Sequence, residues 1–235
     1  RRRRQRQMCI RDSFNNLHLV YNLFVKLWVC FMSSHKLEVF TDYVCPWCYL
    51  GDSRVKKLTN IFDIDIEIIH FPLHPDTPKE GKSLLDLFGT NQEDIDKKNQ
   101  NMKNLMSNEN LPYSNRTHTF NSRLAQEIGS WAQSLDNKTS IHDNFFEAYF
   151  VKGLNIGLES VILEIVTKSG LDENEANDII KNRTFKSSVD KDWQKSRRYG
   201  VTGVPTYIYS NHSVIGAQNI ENLTDFLNHF GVPKL

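Results

Sequence analysis

Leu-Glu-Val-Phe-Thr-Asp-Tyr-Val-Cys-Pro-Trp-Cys, residues 37–48, is the stretch that decides the fold. It opens with a short apolar and β-branched run, which predicts a buried strand that ends at the cysteine pair. A helix is expected to begin at the pair, because Pro46 suits a first helical turn and apolar residues continue at near-helical spacing. Ile64, Ile66 and Ile68 alternate with acidic residues and indicate a half-buried second strand. The opening order is therefore β-α-β.

The chain continues with a helical middle and a second mixed end. Residues 206–209 and 213–215 are β-like and are separated by a polar turn, and residues 220–230 show helical periodicity up to Gly231. The predicted order is β-α-β, then about five helices, then β-β-α, which is an α/β fold. The five helices correspond to the patterns at residues 124–135, 141–149, 158–167, 172–180 and 189–196, and a weaker, polar and loosely periodic pattern lies at residues 91–105.

Length and element order together suggest how the chain is divided. The 235 residues suit one domain with an elaboration. We expect residues 35–75 and 200–235 to build one sheet domain, because a β-α-β half and a β-β-α half can share a sheet. Residues 76–199 are then an all-helical insertion in that domain.

Composition excludes several classes of protein. Hydrophobic residues make up 39% and aromatic residues 11% of the chain, which is inconsistent with disorder over its bulk. The net charge is +1, and the only basic cluster is the six arginines among residues 1–11. A nucleic-acid partner would need clustered basic residues elsewhere, so none is expected. No membrane partner is expected either, because the one apolar-leaning run, residues 17–31, is short and contains Lys26.

Residues 1–31 differ from the rest of the chain. They contain six arginines, one lysine and one aspartate, a net charge of +6, which leaves −5 for residues 32–235. The segment superficially matches a signal peptide, but Lys26 splits its apolar run and no small-x-small cleavage site follows. We interpret it as a non-native or disordered extension, with Met32 as the natural start. The expected location is then cytoplasmic, and the alternative is export if residues 1–31 are a genuine signal peptide.

The Cys45-Pro46-Trp47-Cys48 motif is the strongest chemical signal in the sequence. A thiol at a helix N-terminus faces unpaired N–H groups and the positive end of the helix dipole, which lower thiol pKa values. Cys45 is therefore the predicted nucleophile. Cys48, one turn into the helix and more buried, is the predicted resolving thiol, and the pair can form a redox-active disulfide.

Two other interpretations of the cysteine pair compete with a redox role. A structural zinc site needs four ligands, and no second Cys-x-x-Cys or His-x₃₋₅-His pair follows, so no metal is expected. Two inert core cysteines are common for an arbitrary pair. A strand before the pair and a helix after it favour redox chemistry instead.

A second motif, Gly200-Val201-Thr202-Gly203-Val204-Pro205, comes directly before a predicted strand. Proline is tolerated at the first residue of a strand. If the Val204–Pro205 bond is cis, it would expose the backbone groups of Val204 to an extended substrate. Because only about 5–6% of X–Pro bonds in folded proteins are cis, this motif alone does not establish the isomer.

Together these motifs resemble the DsbA-like branch of the thioredoxin superfamily, and within it the FrnE-like oxidoreductases. The resemblance runs from about Leu37 to Phe230 and consists of several dispersed matches in one order, which is more specific than a lone Cys-x-x-Cys. The matching segments are residues 41–51, 71–81, 121–127, 148–150, 200–206 and 216–218.

The resemblance implies a thioredoxin fold interrupted by a helical domain, with a redox dithiol at Cys45 and Cys48 and a cis Pro205 opposite it. Pro46, Trp47, Val204 and Pro205 are the implied substrate-binding residues. Some relatives carry a second cysteine pair near the C-terminus that is associated with isomerase activity. This chain has no cysteine after Cys48, which argues against an isomerase that relies on two dithiols.

Three further residues have weaker candidate roles. Asp42, three residues before Cys45, is a candidate for tuning its proton chemistry, with a solvated aspartate at the strand end as the alternative. Asn121 and Arg123 are candidates for the cleft. An asparagine at a helix start is more often a cap, which is the alternative for Asn121.

The leading hypothesis is a thiol–disulfide oxidoreductase that acts on protein or small-molecule thiols and disulfides. It needs no bound cofactor beyond the Cys45–Cys48 disulfide, and glutathione is a candidate co-substrate. The alternative is a glutathione-dependent isomerase or transferase, as in the related kappa-class and hydroxychromene-carboxylate isomerase proteins, which typically have serine at the position of Cys45. A third hypothesis is a redox-regulated binding or chaperone module without turnover.

Overall fold

The computed structural model describes residues 35–135 and 140–235, so the interpretation of residues 1–31 lies outside the described residues. The described residues form six strands and nine helices. They are β1 (His35–Thr41), α1 (Pro46–Leu58), β2 (Ile64–His70), β3 (Lys82–Ser83), α2 (Leu84–Phe88), α3 (Gln92–Asn108), β4 (His118–Thr119), α4 (Arg123–Ser134), α5 (Ile141–Phe150), α6 (Glu159–Lys168), α7 (Glu173–Asn182), α8 (Lys186–Arg198), β5 (Thr206–Tyr209), β6 (His212–Ile215) and α9 (Ile220–His229).

The main sheet has four strands in the order β2-β1-β5-β6. Strands β1 and β2 are parallel, whereas β5 runs antiparallel to both of its neighbours. The centre of β1 fixes the register, since Val39 pairs with Ile68 on one side and with Tyr207 on the other. The predicted order β-α-β, helices, β-β-α is confirmed.

Alternation along β1 sends its side chains to the two faces of the sheet. Leu37 and Val39 pack in one apolar cluster with residues of α1 and α9, including Leu58 and Leu227. Phe40 points to the opposite face, where α8 is anchored by the ion pair of Lys195 with Glu38 on β1. Helices therefore cover both faces, and β1 is buried between them.

The segment between β2 and β5 is largely helical, as predicted, but it also contains a short antiparallel ladder. Strands β3 and β4 pair through Lys82 with Thr119 and Ser83 with His118. Strands of two residues carry no alternation that sequence periodicity can detect. The α/β fold class with a helical insertion is confirmed, and the insertion is not purely helical.

The largest buried cluster joins the insertion to the start of α1. It contains Tyr43, Cys45 and Cys48 together with helix residues such as Phe145 and Ile128. Hydrophobic packing is therefore continuous across the predicted boundary near residue 76. The division into 35–75 with 200–235 and 76–199 stays a prediction.

Tyr43 connects the end of β1 to the insertion and leaves no room for a side chain at position 129 of α4. Its ring is fully buried and its hydroxyl lies 2.6 Å from Nδ1 of His142. A Cβ at Gly129 would overlap the Tyr43 hydroxyl and would lie 3.1 Å from Nε2 of His70. Glycine at position 129 therefore allows α4 to approach the end of β1 closely.

We expect Gly129→Ala to destabilise the protein by about 1–3 kcal/mol, because the added methyl group overpacks the contact with Tyr43. An ordinary helix interior would instead gain about 1 kcal/mol from this substitution. Gly203→Ala is the control, because a Cβ there meets no atom within 4 Å. Urea unfolding of both variants measures the difference, and a stabilised Gly129→Ala would contradict the close approach.

Candidate active site

The N-terminus of α1 places the two cysteines. Cys45 has extended backbone angles as the residue before the helix, and Pro46 occupies the first helical position. The carbonyl of Cys45 accepts hydrogen bonds from the N–H groups of Cys48 and Tyr49 at 3.0 and 3.2 Å. Both thiols are free. The predicted strand, cysteine and helix arrangement is present.

Both cysteines are almost inaccessible, and Cys48 is slightly the more buried of the two, in the predicted order. Cys45 is 3% exposed and Cys48 is 2% exposed. The insertion packs over the start of α1 and covers Cys45 from outside. Because this cover comes from residues far along the chain, the local motif did not reveal it.

The two thiols have opposite electrostatic environments. A hydrogen bond from the Cys48 thiol lowers the pKa of Cys45, with further help from the N–H groups of Cys48 and Trp47, while burial acts against this shift. Burial, followed by the interaction with Cys45, raises the pKa of Cys48 well above the ordinary thiol value. A single negative charge on the pair is therefore located on Cys45.

The second motif lies against the first. The Cys45 Sγ atom is 3.5 Å from the carbonyl oxygen of Val204, and the Val204–Pro205 bond is cis. The N–H group of Val204 makes no hydrogen bond to any residue that the structure describes. The structure thus brings Val204 and Pro205 next to the dithiol, as the resemblance implied.

A cavity of about 700 Å³ opens on Cys45. Trp47, which is 45% exposed, stands beside it together with Pro46. The remaining wall comes from the insertion and from the segment after β2. Its lining residues there are Leu73, His74, Leu84, Leu87, Phe88, Ile95, Lys98, Asn99, Asn101, Met102, Leu105, Arg116 and Thr119.

Most of this wall was missed at the level of sequence. Helix α2 had a signal in the sequence, because serine is a preferred residue at a helix N-terminus. In the structure Ser83 is that N-terminal cap and accepts a hydrogen bond from the N–H of Asp86. Arg116 carried no signal, since it lies in an irregular segment before β4. Only the packing of α2 and α3 against the cysteine motif reveals the cavity.

Asp42 is buried, so the alternative of a solvated aspartate is wrong. Its carboxylate accepts hydrogen bonds from the N–H groups of Val44 and Leu73, both at 3.1 Å, and from the Gln126 amide at 3.2 Å. Burial nevertheless raises its pKa to about 6. The negative charge of Asp42 opposes ionisation of Cys45, so the two groups are electrostatically linked.

The structure does not bring Asn121 and Arg123 to the cavity at Cys45. Asn121 accepts a hydrogen bond from the N–H of Arg123 at the start of α4, which supports the capping alternative. Arg123 forms ion pairs with Glu127 and Asp190, both at 2.7 Å. Both residues therefore have structural contacts away from the dithiol.

Two further properties concern only residues 35–135 and 140–235. No three histidine, cysteine, aspartate or glutamate side chains come together there in a group that could hold a metal ion. No helix in these ranges is both long and apolar enough to cross a membrane.

The chain matches one known protein family over most of its length. Residues 36–228 match the DSBA-like thioredoxin domain, and the chain belongs to this family. The uncharacterized protein YwbO of Bacillus subtilis (strain 168) is 23% identical over 192 residues, which cover 79% of this chain and 92% of YwbO.

Two solved structures share the fold. A probable DsbA oxidoreductase from Streptomyces coelicolor superimposes with a TM-score of 0.78 at 22% identity, over 84% of this chain and 90% of that chain. A 2-hydroxychromene-2-carboxylate isomerase superimposes with a TM-score of 0.63 at 17% identity, over 83% of this chain and 96% of that chain. The thioredoxin fold with its helical insertion is therefore established.

We expect Cys48→Ala to raise the pKa of Cys45, because it removes the thiol that donates to the Cys45 sulfur. Cys48→Ser is the matched control, because its hydroxyl retains a donor at the same position. Thiolate ultraviolet absorbance followed during a pH titration measures both variants. Equal midpoints for the alanine and serine variants would contradict the role of this hydrogen bond.

We expect Asp42→Asn to lower the pKa of Cys45, because it removes a negative charge that opposes the thiolate. The titration should therefore move to lower pH. Asp192→Asn is the control, since burial raises the pKa of Asp192 to about 6 as well, but Asp192 hydrogen-bonds His70 on β2 and does not act on Cys45. An unchanged midpoint in Asp42→Asn would show that the two groups are not linked.

Proposed function

We propose that this protein is a thiol–disulfide oxidoreductase in which Cys45 is the nucleophile and Cys48 is the resolving thiol. The observation that carries the proposal is the asymmetry of the pair. The sulfur of Cys45 faces a cavity and has a lowered pKa, whereas Cys48 lies behind it with a raised pKa. A thiolate, not a thiol, attacks a disulfide, so this asymmetry assigns the two roles.

Reduction of a substrate proceeds in two exchanges. The Cys45 thiolate attacks one sulfur of the substrate disulfide, forms a mixed disulfide and releases the other substrate sulfur as a thiolate that takes up a proton. Cys48 then loses its proton and attacks Cys45, which forms the Cys45–Cys48 disulfide and releases the second substrate thiol. The substrate gains two electrons and the protein dithiol loses two. The same steps in reverse oxidise a dithiol substrate.

The residues around Cys45 suit the binding of a substrate sulfur. The N–H group of Val204, which has no partner among the described residues, and the Val204 carbonyl oxygen can hydrogen-bond to a polar substrate backbone beside the reacting sulfur. Pro46 and the half-exposed indole of Trp47 provide apolar contact at the cavity mouth. Asp42 adjusts the ionisation of Cys45 without contacting substrate.

The direction of exchange depends on the reduction potential of the pair, which is about −270 mV in thioredoxin and about −120 mV in DsbA. A cytoplasmic location stays a prediction, and it would favour reduction because that compartment keeps thiols reduced.

A glutathione-dependent isomerase or transferase is the second candidate function. It is favoured by the enclosed cavity and by the shared fold with the 2-hydroxychromene-2-carboxylate isomerase. Such a reaction would not need a second thiol behind Cys45. In this candidate, glutathione is the co-substrate, whereas in the leading one it is one of several thiols that could reduce or oxidise the pair.

We expect Cys45→Ser to abolish reduction of hydroxyethyl disulfide, because the reacting sulfur is lost. Cys48→Ala should still complete the first exchange and accumulate a mixed disulfide, since the resolving sulfur is missing. Intact-protein mass spectrometry detects this adduct.

The control is the double variant Cys45→Ser with Cys48→Ala. After the same treatment it should gain no mass. Full activity of Cys45→Ser would refute the dithiol mechanism and leave the isomerase candidate. If neither activity nor an adduct is found in any variant, the binding or chaperone hypothesis gains support.

A further inference from the structure

Arg116 is a half-buried cation with neutral partners. Its guanidinium donates to the hydroxyls of Tyr113 and Tyr149 at 3.2 and 3.1 Å and lies 5.4 Å from the centre of the Phe150 ring. It forms no ion pair with any carboxylate in the described part of the chain. An arginine stays charged at all relevant pH values, so none of the described residues neutralises this positive charge at the cavity wall.

The other ionisable residues of the cavity wall do not neutralise this charge. Lys98, an exposed residue of α3, lines the same cavity, with its ammonium group 5.5 Å from the centre of the Phe88 ring. It has no carboxylate partner among the residues described. The pKa of His74 is lowered by burial and by the charge of Arg116, which favours the neutral ring. No aspartate or glutamate of residues 35–135 and 140–235 lines the cavity.

The position of Cys45 restricts what can react with it. The residue is 3% exposed and its sulfur is reached through the cavity, so a substrate disulfide has to enter. A volume of about 700 Å³ lies within the range of about 300–1,000 Å³ that is typical of small-molecule sites. The two basic residues attract anions into such a cleft.

We propose that the substrate of Cys45 is a small disulfide or thiol that carries a carboxylate, and that Arg116 binds this carboxylate with Lys98 as a second contact. This inference rests on the proposed thiol–disulfide exchange and names its substrate class. The acidic disulfide gains two electrons and two protons and becomes two thiols, while Cys45 and Cys48 lose them and become a disulfide. Arg116 acts as a specificity-determining residue because it selects the charge of the substrate.

A charge series of symmetric disulfides tests the proposal. The reduced protein is mixed with dithiodipropionate, which is dianionic, hydroxyethyl disulfide, which is neutral, or cystamine, which is dicationic. The rate of Cys45 oxidation is divided by the rate at which each disulfide oxidises dithiothreitol, so that intrinsic reactivity cancels. We expect the corrected rate to be highest for the anionic disulfide, intermediate for the neutral one and lowest for the cationic one.

Arg116→Gln should lower the ratio of the anionic to the neutral rate by about 10- to 100-fold, which is the range for losing a charge-assisted hydrogen bond. Arg116→Lys should recover part of the ratio because it restores the charge without the planar fork. Lys103→Gln is the matched control. It removes one positive charge from an exposed position of α3 that does not line the cavity, and its ratio should stay at the wild-type value.

Lys98→Gln provides an independent test if Arg116→Gln does not fold, since Lys98 is exposed and a folding defect is not expected there. Its ratio should fall by about 2- to 5-fold, as for the loss of a surface ion pair. Equal rates across the charge series in the wild type would overturn the proposal. So would an equal fall in Lys98→Gln and Lys103→Gln.

Two other results have separate meanings. If native insulin, whose disulfides are intact, oxidises Cys45 as fast as dithiodipropionate does after the same correction, the restriction to small substrates is wrong. If no disulfide in the series oxidises Cys45 and Cys48, the proposed function itself fails. A normal reaction with the neutral disulfide but no preference for the acid refutes only the substrate class.

Discussion

The candidate site depends on one constraint, which is that the ionisable sulfur of Cys45 is held where water hardly reaches it. Burial by itself disfavours a thiolate, and Cys45 is almost completely covered. The charge is supported by the hydrogen bond from Cys48 and by N–H groups in the first turn of α1. These donors exist only because β1 ends and α1 begins at the cysteine pair. The strand-to-helix junction is therefore the constraint on which the chemistry rests.

The insertion turns this junction into an enclosed site. Helices α2 and α3 form much of the cavity wall, and the buried cluster of the insertion includes Tyr43 and both cysteines. The same packing that stabilises the insertion therefore restricts access to Cys45. It also places Arg116, which has no sequence relation to the cysteine motif, on the wall of the same cavity. Fold stability and access to Cys45 thus depend on the same contacts.

Several features followed from local sequence because their causes are local. Strand β1, helix α1 and the cysteine pair between them follow from residues that are close together in the sequence. Asp172, with Glu175 three residues later, has the sequence pattern of a capping box, in which each side chain accepts the backbone N–H of the other residue. The Asp172 carboxylate does accept the N–H of Glu175. The Glu175 side chain, however, accepts the indole N–H of Trp131 on another helix instead of returning to the cap. A tertiary partner there replaces the second half of the motif.

Local sequence was enough to predict the order of the main elements, the α/β class and the pair of thiols, since periodicity and cysteine spacing are properties of neighbouring residues. The two-residue strands β3 and β4 leave no such pattern. Only the tertiary structure shows that Asp42 is buried, that Cys45 is almost completely covered and that Arg116 lines the cavity at Cys45. Each of these depends on residues that are distant in the chain and meet only when the insertion packs on the sheet domain. Burial and electrostatic coupling are properties of that packing, so no local pattern could reveal them.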